Sequence, residues 1–251
     1  QGKKRDVILH APKNGFFYVI DRANGKLLGA EKLGEVSWAE RIDLASGRPV
    51  ETPEARFPEG FGAIIPGTLG AHNWHAMSFN PITGLVYIPY QQAAGFFDRR
   101  GVDKDWQPTA FESNSGYQPY RGDASPDGVA SALVAWDPVR QQRAWSVELP
   151  GFWNGGTVTT AGNLVFQGSS RGEFVAYSAD AGKPLWRFNA GVGISAAPIT
   201  YEVEGRQYVA VLAGWGGAVY AGSSAFAAAG WQYGQQPRRL LVFSLEGKIG
   251  R

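Results

Sequence analysis

Three short strings carry side chains able to act on a ligand. Lys13 precedes Asn14-Gly15, a tight-turn pair after a strand-like run, so the turn would hold its ammonium at a strand junction. A cation fixed there can stabilise negative charge as it develops on a bound oxygen. In His72-Asn73-Trp74-His75, the Asn73 amide can donate to an oxygen without changing its charge, and Trp74 adds an indole N–H and a flat edge. In Trp153-Asn154-Gly155-Gly156, two glycines allow backbone N–H groups to approach a ligand closely. Gly214-Trp215-Gly216-Gly217-Ala218 has the same character, with Ala218 as a backbone contact.

Each string also has a plain structural reading. These are a solvated turn lysine, a capped loop with a core tryptophan, and two glycine-rich strand exits. His72 and His75 stand three apart, but no Asp, Glu or Cys nearby completes a metal site, so none is assigned. Asp123-Ala124-Ser125-Pro126-Asp127-Gly128 lacks the ligand spacing and terminal Glu of a calcium loop and reads as a turn. No Gly-x-Ser-x-Gly and no Gly-x-x-x-x-Gly-Lys occurs, which removes the serine hydrolases and P-loop enzymes from consideration.

The elements that must position these residues follow from composition and repeats. The 251 residues are 44% hydrophobic and 18% charged, enough apolar surface for a packed core. With 24 Lys+Arg against 22 Asp+Glu there is no basic footprint for nucleic acid. With no cysteine there is no disulfide, thiolate zinc site, iron–sulfur cluster or covalent c-type haem. No stretch approaches the roughly 18 apolar residues of a membrane helix. The basic start, Lys3-Lys4-Arg5, leads into the short run Val7-Ile8-Leu9 without the apolar region or cleavage site of a signal peptide.

Two segments superimpose without gaps, Ala135-Trp136-Asp137-Pro138-Val139-Arg140-Gln141-Gln142-Arg143-Ala144-Trp145 and Ala176-Tyr177-Ser178-Ala179-Asp180-Ala181-Gly182-Lys183-Pro184-Leu185-Trp186. A degenerate copy starts at Val19-Ile20-Asp21, with Gly29 where the tryptophan would stand, and another starts at Leu241-Val242-Phe243-Ser244. Each reads as strand, polar turn, strand. Antiparallel sheets recurring at roughly 40–50 residues predict an all-β propeller of four-stranded blades. In such a fold Trp145 and Trp186 would fill the gap between neighbouring sheets. Residues 34–70 and 91–131 break the repeat and are read as long inter-strand excursions within one domain spanning 1–251, not as domain boundaries, and the aromatics of 91–131 mark that one as ordered.

The repeat Ala-x-Asp-x-x-x-Gly-x-x-x-Trp resembles the tryptophan-docking motif of the eight-bladed quinoprotein alcohol dehydrogenases, which use pyrroloquinoline quinone (PQQ). The strings Ala11-Pro12-Lys13-Asn14-Gly15-Phe16-Phe17-Tyr18, His72-Asn73-Trp74-His75-Ala76-Met77-Ser78-Phe79-Asn80-Pro81, Trp153-Asn154-Gly155-Gly156-Thr157 and Gly214-Trp215-Gly216-Gly217-Ala218 carry the likeness in family order along nearly the whole chain.

The resemblance implies roughly half of an eight-bladed ring, its C-terminal part. Lys13 would take the family's Lys/Arg position beside the quinone oxygens, and Asn73, Trp74, Trp153, Asn154 and Ala218 would contact PQQ. The family's calcium ligands and catalytic Asp have no matching positions here, so Ca²⁺ would be held by an upstream half. This chain alone would be inactive. Implied partners are that N-terminal half, a small primary or secondary alcohol, and a cytochrome or other electron acceptor, in the periplasm. The contrasting reading is a non-catalytic propeller that serves as a binding scaffold. A degenerate product that no longer binds cofactor is a third.

Overall fold

A computed structural model describes residues 4–107, 114–119, 131–151, 153–214 and 237–246. The chain groups into two compact units, one of Gln1–Asn73, Gln91–Ala130 and Pro138–Gln142, the other of Trp74–Tyr90, Ser131–Asp137 and Arg143–Arg251.

In the first unit, β1 (Val7–His10), β2 (Phe16–Asp21) and β3 (Leu27–Lys32) form an antiparallel sheet in sequence order. The β2–β3 turn closes because Asp21 accepts from the Ala23 N–H at 2.9 Å while Gly25 takes a φ of +73°, a conformation that suits glycine. One face of this sheet, with Phe16 and Ala30, packs on Val36, Ala39 and Ile42 from the first excursion. There β4 (Ala39–Ile42) and β5 (Pro49–Glu51) make a two-stranded ribbon.

The two excursions, far apart in sequence, build one sheet together. β6 (Phe61–Ile64) of the first pairs with β9 (Gly95–Asp98) of the second, which pairs in turn with β10 (Tyr117–Pro119). Phe57 lies 5.3 Å from Phe97, and the Arg100 guanidinium sits 5.5 Å over the Phe61 ring.

In the second unit, apart from the strand ends Gln91 and Gln142, which group with the first, β7 (Ser78–Asn80), β8 (Leu85–Gln91), β11 (Ser131–Asp137) and β12 (Gln142–Glu148) form a four-stranded sheet in the order β12-β11-β8-β7. β13 (Thr157–Thr159), β14 (Leu164–Gly168), β15 (Glu173–Ser178) and β16 (Pro184–Asn189) form another, in sequence order. A third joins β17 (Ile199–Val203), β18 (Arg206–Ala213) and β19 (Arg239–Ser244). The middle sheet is buried on both faces. Val165, Val175 and Tyr177 pack with Tyr87 and Leu133, while Phe166, Phe174 and Ala176 pack with Val209 and Val211. That sandwiching explains why its inner strands read as continuous apolar runs.

The docking tryptophan behaves as expected of a blade-packing residue. Trp145 donates its indole N–H to Ala179 O at 3.2 Å, and its ring lies so close to Gly182 that a Cβ there would meet it at 2.6 Å. The degenerate copy solves the same problem with its partners exchanged. Gly29 stands at the tryptophan position, and the Gln141 side chain, at the position equivalent to Gly182, fills the space against it. Gln141 keeps the left-handed backbone of the glycine it replaces, with φ of +55° against +67° at Gly182.

Candidate functional site

Lys13 sits in the β1–β2 connection, and its surroundings fix the backbone rather than the charge. Asn14 Oδ1 accepts the Phe16 N–H, Asn14 Nδ2 donates to the Tyr18 hydroxyl at 2.7 Å, and the Trp38 indole N–H donates to Asn14 O at 3.0 Å. Gly15 takes a φ of +93°, and a Cβ there would meet Val36 at 2.6 Å, so only glycine fits. Burial pushes the Tyr18 hydroxyl above its ordinary pKa, only partly offset by the Asn14 bond, which keeps that partner neutral. The Lys13 side chain itself is exposed.

The segment carrying Asn73 is laced to the same place. Ala71 N–H donates to Lys13 O at 3.1 Å, and the Lys13 stem packs over Gly70, where a Cβ would lie 2.6 Å from it. Asn73 Nδ2 donates to Leu69 O at 2.9 Å, as does Gln91 Nε2 at 3.0 Å, and Gln91 N–H reaches Ala71 O. His72 is buried, and its Nδ1–H donates to Ala11 O at 2.6 Å. The sequence leaves His72 without a role. The structure makes it the pin that holds residues 69–73 against the Lys13 loop. Lys13 and the Asn73 segment are therefore neighbours, an exposed cation beside a half-buried amide.

The aromatic and glycine-rich strings belong to the second unit. Trp74 is 53% exposed and stacks on the buried His75 ring at 4.2 Å and 23°. Trp153, 1% exposed, meets that imidazole edge-on at 5.0 Å. Its φ of +65° is costly for a bulky residue, and burial of its indole offsets the strain.

In the turn after it, Gly155 N–H donates to Gly168 O at 2.8 Å. A Cβ at Gly155 would meet Ala196 O at 2.7 Å, and one at Gly156 would meet Ala76 N at 2.8 Å. The glycines let strands of the fold itself approach each other. Asn154 is buried and tied at both ends, donating to Ser131 Oγ at 2.7 Å and accepting the Ser170 N–H at 2.8 Å. Ala218 and residues 123–128 lie outside the described residues. Among the described residues no group of three or more His, Asp or Glu side chains could hold a metal ion, and no helix is long and apolar enough to cross a membrane.

Residues 124–209 match the PQQ family described as the glucose/ethanol/alcohol dehydrogenase β-propeller domain. Over 248 residues the chain is 53% identical to the quinohemoprotein alcohol dehydrogenase ADH IIB of Pseudomonas putida, covering 98% of this chain and 35% of that protein. The chain belongs to the PQQ β-propeller family. Its nearly all-β, antiparallel architecture agrees with that family's propellers. The quinohemoprotein alcohol dehydrogenase of Comamonas testosteroni is 48% identical over 225 residues, covering 86% of this chain and 31% of that protein. A crystal structure of the Comamonas protein superimposes with a TM-score of 0.85 at 43% identity, covering 99% of this chain and 37% of the other. The chain thus spans about a third of the length of the curated relatives it matches.

Proposed function

We propose that this chain supplies cofactor contacts to a quinoprotein alcohol dehydrogenase that oxidises a primary or secondary alcohol to an aldehyde or ketone. The carrying observation is the Lys13 loop, where an exposed ammonium stands on a backbone pinned by Asn14, Trp38 and Ala71. PQQ is a flat ortho-quinone with three carboxylates, and it would supply the two-electron acceptor for hydride from the alcohol carbon. The side chains present suit such a group by their chemistry: a cation for oxygens that gain charge, an amide donor at Asn73, and an exposed indole at Trp74.

Lys13 would hold positive charge at the quinone oxygens as they become more negative, and the pinned stem limits the reorganisation needed at that moment. Asn73 would orient the ring by donating an N–H to an oxygen. Trp74 would present a flat apolar surface that excludes water. Trp153 and Asn154 are proposed to act at the cofactor through the turn they build, with Ala218 as a further backbone contact. The general base, an Asp, and the ligands of Ca²⁺ are assigned by the family resemblance to sequence this chain does not contain, as are a cytochrome-type acceptor and a periplasmic location.

A partner sheet is supported by the last sheet of the second unit. The strand register places Ile199, Tyr201, Val203, Leu212, Leu240 and Val242 on one face, and all six are exposed. A mostly apolar exposed sheet face, here with Arg206 and Ser244 at one end, suits a docking surface. Its occupant in this reading is a further antiparallel sheet from the remainder of the propeller.

The test is to graft the chain in place of the matching stretch of the Pseudomonas putida relative, and to add PQQ and Ca²⁺. The expected result is quenching of protein fluorescence by PQQ and dye-linked alcohol oxidation, both absent for the chain alone. A folded graft that neither binds PQQ nor oxidises alcohols would support the scaffold reading instead.

A further inference from the structure

We propose that His75 is a positioning residue, whose buried imidazole holds the Trp74 indole in place for a flat ligand. The identity of that ligand as PQQ rests on the proposal above, but the restraint on Trp74 does not. Trp74 is 53% exposed, and an exposed indole ordinarily samples several rotamers. Here its ring lies on the imidazole of the next residue at 4.2 Å and 23°, an offset stack between sequence neighbours.

Trp74 and His75 lie in a bend before β7, not in a strand, so their side chains can turn to one side, but holding the two rings in a stack still needs support from around them. Two features supply it. Trp153 closes on the His75 ring edge-on at 5.0 Å and 86°, and on Trp74 itself at 6.5 Å and 67°. Immediately after His75, Ala76 O accepts the Thr157 N–H at 2.8 Å and the Thr157 hydroxyl at 3.3 Å, which fixes the backbone on the far side of the imidazole. With His75 only 3% exposed and Trp153 1% exposed, the imidazole has no room to leave the indole.

This arrangement explains an aromatic-friendly ring at position 75. Histidine supplies a flat partner that is smaller than a benzyl or indole side chain. The structure thus separates two roles within one tetrapeptide: His72 pins the backbone to Ala11 O, while His75 orients an exposed side chain.

The experiment uses 5-fluorotryptophan in the full chain, carried in the graft described above. The ¹⁹F resonance missing from Trp74→Phe identifies Trp74. In the ligand-free spectrum, His75→Ala should move that resonance towards the position of a solvent-exposed indole and sharpen it, while His75→Phe, which retains a flat ring, should keep it shifted and broad. PQQ affinity should fall about fivefold in His75→Ala and be largely retained in His75→Phe. An unmoved Trp74 resonance in His75→Ala, or equal changes in both variants, would overturn the positioning role. Failure of PQQ to perturb the wild-type resonance would overturn the cofactor reading alone, because the restraint is read before PQQ is added. If His75→Ala does not fold, His75→Leu, which fills the volume without a ring, replaces it and must release Trp74 in the same way.

Discussion

The Lys13 loop and the Asn154 turn look alike as strings, since both place a polar side chain beside glycine at a strand junction. In three dimensions they are opposites. At Lys13 every turn hydrogen bond goes to the backbone or to Asn14, and the ammonium stays exposed. At Asn154 the polar side chain itself is absorbed, with its oxygen on Ser170 N–H and its nitrogen on Ser131 Oγ, in a site 5% exposed. The difference shows which polar group the fold has already used: the Asn154 amide is bonded within the protein, whereas the Lys13 ammonium is left exposed.

The comparison breaks most readily at Lys13. Lys13→Met keeps the stem that packs over Gly70 but deletes the charge, so kcat should fall about 10²–10³-fold while unfolding stability stays within about 0.5 kcal/mol. A loss of stability comparable to the loss of rate would erase the distinction. Asn154→Ala should do the reverse. It leaves a buried Ser170 N–H without its acceptor and should cost about 2–3 kcal/mol, while weakening PQQ binding by the folded fraction less than Lys13→Met does. Denaturant titration with a parallel binding assay separates the two outcomes.

The paired packing junctions sharpen the same point. At Gly182 a methyl would strike the rigid Trp145 ring in a left-handed backbone, so Gly182→Ala should cost about 2 kcal/mol. At Gly29 the neighbour is the flexible end of Gln141, 3.0 Å from a Cβ, so Gly29→Ala should cost less than about 1 kcal/mol. Thermal unfolding of both variants is the measurement, and equal costs would mean that the exchange of bulk is not what fits these junctions.

The smallest effect lies in the apolar layer that Trp145 shares with Tyr177. Burial pushes the Tyr177 phenol up to about 12 from its ordinary 10. The raised value belongs to the neutral form, so this stability is fully present below pH 10 and is lost as pH rises towards 12, by roughly 1 kcal/mol per pH unit. Tyr177→Phe should flatten that alkaline limb of the stability curve.

Much of the fold is legible in the chain because its signals are local. Strand, polar turn and tryptophan recur at matching positions, and the glycines of the turns mark left-handed backbone at Gly25 and Gly182. Gln141 hides the same turn, because bulk moved from one side of the junction to the other and only the pair makes sense. The sheet of β6, β9 and β10 is not legible, since it pairs Phe61–Ile64 with Gly95–Asp98, segments far apart in sequence that share no local signature. Of the candidate site, Lys13 and Asn73 are visible as types. The pins that hold them, His72 on Ala11 O and Trp38 on Asn14 O, join residues 61 and 24 positions apart and carry no local signature.

Alternation of apolar side chains, turn chemistry and a repeated docking motif by themselves determine that this chain forms stacked antiparallel sheets, because each depends on residues a few positions apart. Which polar groups stay exposed and which are bonded into the scaffold was decided only in tertiary structure. A hydrogen-bond donor has a fixed number of partners to give, and only folding shows whether the protein has already claimed them.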